Sequence, residues 1–261
     1  MKYKFLSLSM TIVGVLFLSG CANKSSSIDA QKSQNNKVVQ VSNPQLTDQD
    51  VFGNELTLNN ITEEDIQNAV EDAKGEFTIP LHSAVILVQS GSKAPDALMQ
   101  QEMKKFYQVS TFSGIPVTKR KVRNKNDDDS VSDDVNYMQA LRYIAAKGRQ
   151  KAIIVFWSAL EVGKFNNETK AVQWEAWNSK NIPSGDYSLR YLTRVALTDV
   201  ATGEWSVYSP SNVEMHNVHK EAVSSDSSSK IIEELKRNTY EWISKDLANR
   251  YSPGRLKIIY R

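Results

Sequence analysis

Apolar residues recur at two different spacings along the chain, and the spacing predicts which segments form strands and which form helices. The run SAVILVQ, residues 83–89, is continuous and β-branched and is followed by the turn residues SGSKAP, which predicts a strand buried on both faces. The run KAIIVFW, residues 151–157, is the most hydrophobic strand candidate after the amino-terminal segment, so we expect it at the centre of a sheet. Another strand is predicted over IPVTKRKV, residues 115–122, where Pro116 and alternating lysines indicate a sheet edge.

Four segments with apolar residues at helical spacing are predicted as helices. Thr62 opens the first with a capping-box arrangement to Asp65. The second covers residues 96–107, the third follows an acidic loop and is capped by Asp133 or Asp134, and the last lies near the carboxyl end. The residues expected on the buried sides of the last three helices are Met99, Met103, Phe106, Met138, Leu141, Ile144, Ala145, Ile232, Leu235, Trp242, Ile243 and Leu247.

After residue 157 the pattern changes from alternating strands and helices to strands alone. The segments AVQWEAW, residues 171–177, and YSLRYLTRVALTDV, residues 187–200, alternate between apolar and polar positions. The second should place its odd-numbered residues from Leu189 to Leu197 on one face, and the turn ATG should join it to a further strand in a hairpin. The tail, residues 255–261, alternates weakly and is a further strand candidate. The predicted fold class is α+β, with helices packed on a single mixed β-sheet and a disordered tether before it.

The amino-terminal residues predict a leader and a tether rather than part of the fold. Lys2 and Lys4 precede an apolar run that is shorter than the roughly 20 residues of a membrane-spanning helix, which is typical of a signal peptide over residues 1–20. Residues 21–52 are rich in Ser, Asn, Gln and Lys and are predicted to be a disordered tether. Residues 53–261 are predicted to form a single globular domain.

The sequence LSGC, residues 18–21, ends the leader and contains the only cysteine of the chain. It resembles the lipobox of bacterial lipoproteins. The resemblance implies that the thiol of Cys21 carries diacylglycerol, that the chain is cut before Cys21 and that the new amine is acylated, for example by palmitate. Several acyl chains hold a protein on a membrane far more firmly than one chain does. By the sorting rule of Gram-negative lipoproteins, Ala22 implies the outer membrane, facing the periplasm.

The charge of the chain excludes one class of partner. Removal of Lys2 and Lys4 with the leader lowers the formal net charge from +2 to 0. A protein that binds nucleic acid through its electrostatic field needs a basic patch or stripe, so nucleic acid is not an expected partner.

The segment TDVATGEW at the predicted hairpin resembles a feature of known lipoprotein families. An aspartate and a Thr-Gly pair, here Asp199, Thr202 and Gly203, are similar to those at the same hairpin of curli-secretion lipoproteins, penicillin-binding-protein activator lipoproteins and the TolB amino-terminal domain. The order of elements also resembles that of rhombotarget-type lipoproteins, as does a block before the long hairpin that consists of Trp177, Ile182, Pro183, Ser184, Gly185 and Asp186.

Few residues are candidates for catalysis or metal binding. His216 and His219 have H-x-x-H spacing with glutamates beside them, so they are weak candidates for a metal site, although solvated histidines are the favoured interpretation. The chain has neither a G-x-S-x-G elbow nor a Gly-rich phosphate loop. The aspartates between residues 127 and 134 lack EF-hand spacing. We therefore expect no cofactor and no catalytic activity.

Three classes of function follow from these observations. The favoured one is a non-catalytic binding or adaptor module for an envelope protein, held on the membrane through Cys21, with Trp174 and Trp177 as candidate interaction residues because aromatic side chains dominate binding hot spots. A metal-dependent periplasmic hydrolase that uses His216 and His219 is the alternative. A subunit of an oligomeric secretion assembly is the third, although the polar residues between Trp157 and Trp177 argue against membrane strands.

Overall fold

The structure is a computed structural model, and it describes residues 43–53, 61–116, 136–179, 182, 185–211, 213–215 and 225–254. The folded unit begins at Asn43. Its helices are α1 (Asp48–Phe52), α2 (Glu63–Asp72), α3 (Ala97–Met103), α4 (Tyr137–Lys147) and α5 (Ser225–Tyr251). Its strands are β1 (Ala84–Ser90), β2 (Gln108–Gly114), β3 (Ala152–Asn166), β4 (Ala171–Ala176), β5 (Tyr187–Asp199), β6 (Trp205–Tyr208) and β7 (Glu214–Met215).

All seven strands belong to one mixed sheet, with the main order β2-β1-β3-β5-β6. β1 pairs in parallel with both β2 and β3, whereas β3 pairs with β5, and β5 with β6, in antiparallel orientation. β3 and β5 are the longest strands and extend past the end of β1. Their extension pairs with β4 on one side and β7 on the other. The sheet therefore has two parts, and among the described strands only β3 and β5 run through both.

Helices cover the sheet on both faces of its first part. Val85, Leu87 and Phe156 point to the face where the buried sides of α3 and α5 pack. Val88 and Val155 point to the opposite face, which is packed by α4 and by residues from the start of the folded unit. Because both faces are covered, β1 and the start of β3 are continuous apolar runs rather than alternating ones.

The predicted fold class is confirmed, since helices pack on a single mixed sheet. β1 and β3 lie where the apolar runs predicted them, and β3 is central. The prediction of a strand over residues 115–122 was wrong for its start, because the edge strand β2 ends at Gly114 and Ile115 and Pro116 are not in a strand. Residues 117–122 lie outside the described part of the chain, as do the tail 255–261 and the predicted caps Asp133 and Asp134.

The boundary predicted at residue 52 between tether and domain was wrong by about ten residues. Leu46 and Val51 are buried against the sheet, and the amide of Leu46 donates to Ser90 Oγ over 2.8 Å. Thr47 and Asp50 form a capping box at the start of α1. Two apolar anchors and a capped helical turn thus add residues 43–52 to the folded unit, although the segment is mostly polar.

The helices differ from their predictions in detail. The capping box of Thr62 and Asp65 is confirmed at the start of α2, a helix that buries none of its residues. α3 ends at Met103, earlier than predicted. Asn136 is the cap of α4, and its side chain accepts a hydrogen bond from the Gln139 amide over 3.2 Å. The side chain of Ile144, predicted to point inward, is 45% exposed because α4 turns only its Met138, Leu141 and Ala145 side to the sheet.

Candidate interaction surface

The face of the sheet that carries α4 changes character along β3 and β5. Beside α4 these strands present Ile153, Val155 and Ala196, which are fully buried. Further along, the same face presents residues that lie opposite each other in the β3–β5 and β3–β4 ladders. We call these residues the open surface: Ala159, Glu161, Phe165, Val172, Trp174, Arg190 and Leu192.

A stacked arginine lies at the centre of the open surface. The guanidinium of Arg190 lies 4.0 Å from the centroid of the Trp174 ring, and its Nε donates to Glu161 Oε2 over 2.7 Å. Glu214 of β7 is a further partner, with 3.8 Å between Nη1 and Oε1. Since Arg190 is only 20% exposed, these contacts fix its side chain and that of Trp174 in one orientation.

Gly163 lets the Trp174 ring lie across β3. It is paired with Trp174 in the β3–β4 ladder, and a Cβ atom on Gly163 would lie 2.8 Å from the Trp174 ring and 2.5 Å from Cγ1 of Val172. Any side chain at this position would displace both residues. The lack of a side chain at Gly163 therefore leaves the space in which the indole lies against the strand.

Two large apolar side chains of the open surface face solvent. Phe165 is 51% exposed and Leu192 is 41% exposed, and Ala159, which pairs with Leu192, is exposed as well. No helix among the described residues buries them. The surface thus combines solvent-exposed apolar groups with a fixed tryptophan and a fixed arginine, residue types that are enriched at binding hot spots.

A second stacked arginine marks the boundary with the part of the face covered by α4. The guanidinium of Arg194 lies 4.9 Å from the Trp157 ring centroid and 2.8 Å from the Asp48 carboxylate. Trp157 Nε1 in turn donates to the Leu46 carbonyl over 2.9 Å. Residues 43–53 therefore end the covered part of the face, and the open surface begins beyond them.

Trp174 and Trp177 occupy different environments, although the sequence grouped them as interaction candidates. Trp174 lies on the open surface. Trp177 packs against the buried cluster of Val162, Leu189 and Leu235 on the opposite face, and its amide donates to the Leu160 carbonyl over 2.8 Å. Of the two, Trp174 is placed to meet a partner and Trp177 is placed to hold β4 on the core.

The turn between β5 and β6, which carries the TDVATGEW segment, has a structural role. Asp199 Oδ1 accepts hydrogen bonds from the amides of Ala201 and Thr202 over 2.8 and 3.0 Å, and its other oxygen binds Lys151. Burial alone would raise the pKa of Asp199, but the hydrogen bonds from Lys151 and from these amides outweigh it and hold the pKa below its usual value. Gly203 adopts φ +84°, which favours glycine.

Several predicted site residues lie outside the described part of the chain. They are the lipidation candidate Cys21 and the metal candidates His216 and His219. Within the described ranges, no three His, Cys, Asp or Glu side chains are grouped so that they could hold a metal ion. None of the helices in those ranges is both long enough and apolar enough to cross a membrane.

The sequence prediction missed Arg190 and Leu192 as members of the candidate surface. A signal was present, because the even-numbered positions of β5 alternate with the buried odd ones and include Arg190, Leu192 and Arg194. An apolar residue between two arginines on the solvent side of a strand indicates an exposed sheet face. Sequence alone does not show that Trp174 stacks on Arg190, since that contact depends on the register of three strands.

Comparison with known proteins places the chain in a family. A crystal structure of a neuraminyllactose-binding hemagglutinin homologue from Helicobacter pylori is similar at 12% identity, covering 67% of this chain and 90% of that one. Its TM-score of 0.25 is too low for any inference about function. No curated protein sequence matches the chain. A family model matches residues 47–250, most of the folded unit, and the chain therefore belongs to the YafT bacterial lipoprotein family.

Proposed function

We propose that this lipoprotein is a non-catalytic binding module that holds an envelope protein against its open surface. The observation that carries the proposal is the exposure of Phe165 and Leu192 beside the fixed stack of Trp174 on Arg190. Exposed apolar side chains on either side of a fixed Trp–Arg stack suit an interaction site, and a partner that covers them gains their burial at little ordering cost because the stack is already held in place.

The charges of the open surface support a protein partner over a charged polymer. Arg190 is paired with Glu161 within the open surface and with Glu214 of the adjoining strand β7, so the surface has no strong excess of one sign. The paired charges lie between Leu192 and Phe165, where they can fix the orientation of a protein partner that covers these apolar groups. A nucleic acid or an anionic polymer would instead need unpaired cations.

Membership of a lipoprotein family supports attachment to a membrane through covalent lipid. We assign this attachment to Cys21, the only cysteine, at the end of the apolar leader. We place the mature protein on the outer membrane, facing the periplasm, on the basis of Ala22. A Cys21→Ser variant should accumulate as a precursor or a soluble form, and its fractionation with outer membranes like the wild type would contradict this assignment.

The sequence resemblances support a proposal about the fold as well. We propose that this chain shares its fold, including the turn at Asp199, with curli-secretion lipoproteins, penicillin-binding-protein activator lipoproteins and the TolB amino-terminal domain. The rhombotarget-type lipoproteins are further candidate relatives. The parallel β2-β1-β3 order followed by the β5–β6 hairpin supports this attribution. It favours a role in envelope assembly over one in metabolism.

Affinity capture with matched variants tests the binding role. The full lipid-anchored chain is captured from gently solubilised membranes, and the proteins that co-purify are quantified by mass spectrometry. Leu192→Asp places a charge in the open surface, and we expect it to reduce the specific partner about tenfold or more, since a hot-spot change costs about 2 kcal/mol or more. Trp174→Ala should have a similar effect.

Ile144→Asp is the matched control. Ile144 is 45% exposed, close to the 41% of Leu192, but it lies on α4 and outside the open surface. Capture should be unchanged in this variant. Equal capture by Leu192→Asp and the wild type would contradict the proposal. Turnover of a substrate by the purified chain, with loss of activity in His216→Ala or His219→Ala, would replace it with the hydrolase alternative.

A further inference from the structure

A pocket of about 340 Å³ lies on the covered part of the same face, away from the open surface. It opens to solvent between the end of α1, the first turns of α4 and the β5–β6 turn. Phe52, Met138 and Trp205 form apolar walls, and the rings of Phe52 and Trp205 contact each other with centroids 4.7 Å apart. Its volume lies at the lower end of the range for small-molecule sites, which suits a small organic molecule or one peptide side chain.

Arg142 supplies the charge of the pocket. Its Nη2 donates to the carbonyls of Val200 and Ala201 over 3.2 and 3.5 Å, which holds the guanidinium over the β5–β6 turn. Gly203 makes this approach possible, because a Cβ atom there would lie 2.6 Å from Nη1 of Arg142. Among the described residues, the arginine is therefore positioned by backbone carbonyls and not by an acidic side chain.

The remaining donors of Arg142 have no acceptor among the described residues. Its Nε is buried without a hydrogen-bond partner, and in the described ranges no carboxylate lies within 4.0 Å of the guanidinium. A guanidinium has five N–H donors, so most of its capacity is unused. Arg142 lines the pocket, so a ligand there can accept a hydrogen bond from a guanidinium donor that the described residues leave unused.

Other groups of the pocket also favour an anion. Asn136 and Gln139 lie at the amino-terminal end of α4, an eleven-residue helix whose dipole is positive at this end. We infer that this pocket binds a carboxylate carried on an apolar stem, with the carboxylate on Arg142 and the stem between Phe52, Met138 and Trp205. The carboxylate comes from a free organic acid or from the carboxyl terminus of a polypeptide. The two sources share this chemistry.

Calorimetric titration of the full lipid-anchored chain in nanodiscs tests the inference. The probes are 3-phenylpropionate and the peptide Ala-Ala-Phe, each compared with its neutral amide. Both probes have a carboxylate and an aromatic stem. We expect at least one of these acids to bind about tenfold or more tightly than its amide, as for a charge-assisted hydrogen bond. Tighter binding of phenylpropionate identifies a free acid as the ligand class, and tighter binding of the peptide identifies a carboxyl terminus.

Three variants separate the pocket from other cationic sites. Arg142→Gln should weaken the acid about tenfold and leave the amide unchanged. Gln139→Trp fills the mouth of the pocket from an exposed position, without touching the core, and should abolish binding. This variant keeps the inference testable if Arg142→Gln folds poorly. Lys147→Gln lies about two turns beyond Gln139 on α4 and outside the pocket, so this variant should bind like the wild type.

Equal affinity for acid and amide, no binding of either acid to the folded protein, or unchanged binding by Gln139→Trp would overturn the inference. These outcomes do not depend on whether the open surface binds a partner. Partner capture by Leu192→Asp tests the proposed function, and titration of the acids tests the pocket, so either can fail while the other stands.

Discussion

The two parts of the α4-side face are built on the same two strands but have opposite surroundings. Beside α4, β3 and β5 present Ile153, Val155 and Ala196, all fully buried. Further along, they present Glu161, Arg190 and Leu192 to the open surface. On the opposite face, β5 continues with buried residues, such as Leu189 and Val195, because α5 runs along both parts. The residues that a strand places on this face thus show where the packing against α4 ends.

The comparison predicts a large difference in stability between two leucine substitutions. Leu141→Ala removes a side chain that is 1% exposed under α4 and should lower the free energy of unfolding by about 2–5 kcal/mol. Leu192→Ala, on the open surface, should change it by about 0.5 kcal/mol or less. Urea unfolding of both variants measures the difference. Similar losses would show that the open surface is covered in the folded protein.

Arg190→Met tests the ion pair at the centre of the open surface. It leaves Glu161, which is 15% exposed, without its 2.7 Å partner, and we expect a loss of about 1–3 kcal/mol. Arg237→Met is the control, because the ion pair of Arg237 with Glu233 lies along α5 with both side chains more than half exposed. That variant should lose about 0.5 kcal/mol or less. Equal losses would mean that the pairing of Arg190 with Glu161 contributes no more than an exposed ion pair.

A smaller effect is expected at the turn between β5 and β6, in the covered part of the face. Asp199→Ala removes the acceptor of the Ala201 and Thr202 amides and should cost about 1–2 kcal/mol. Asp199→Asn keeps an acceptor and loses only the pairing with Lys151, which is 43% exposed, so it should cost about 0.5–1 kcal/mol. Thermal unfolding at neutral pH ranks the two. A larger loss in Asp199→Asn would contradict the structural role of the turn.

The same carboxylate predicts a pH dependence. Its pKa is lower in the folded protein than the usual 3.8, so its stabilisation is complete above that value and is lost as the pH falls through the folded pKa. The difference in stability between the wild type and Asp199→Asn should therefore be constant from pH 7 to about pH 5 and shrink below about pH 4. A difference that grew with acid would mean that the pKa is raised.

Much of the sheet was predictable because its strands are strongly patterned. The continuous runs of β1 and β3 and the two-residue alternation of β5 follow directly from burial on two faces and on one face. β2 was placed too late because its sequence, QVSTFSG, lies at the edge and has few apolar residues. Ile144 was assigned to the core because helical spacing does not define the width of the buried side of α4.

The candidate surface was less predictable, because it depends on contacts between distant segments. Trp174 was found as an aromatic residue in an alternating strand, but the same argument selected Trp177, which packs on the core. The end of the covered part depends on residues 43–53, whose polar composition predicted a tether. The sequence TDQD, a capping box formed by Thr47 and Asp50, was the local signal for α1.

Photo-cross-linking in living cells tests the binding role of the open surface most directly. A photoreactive phenylalanine analogue replaces Phe165, Leu192 or the control Ile144, each 41–51% exposed, in the lipid-anchored chain. We expect positions 165 and 192 to cross-link the same envelope protein and position 144 not to cross-link it. Absence of cross-links at both positions, or the same product from position 144, would contradict it.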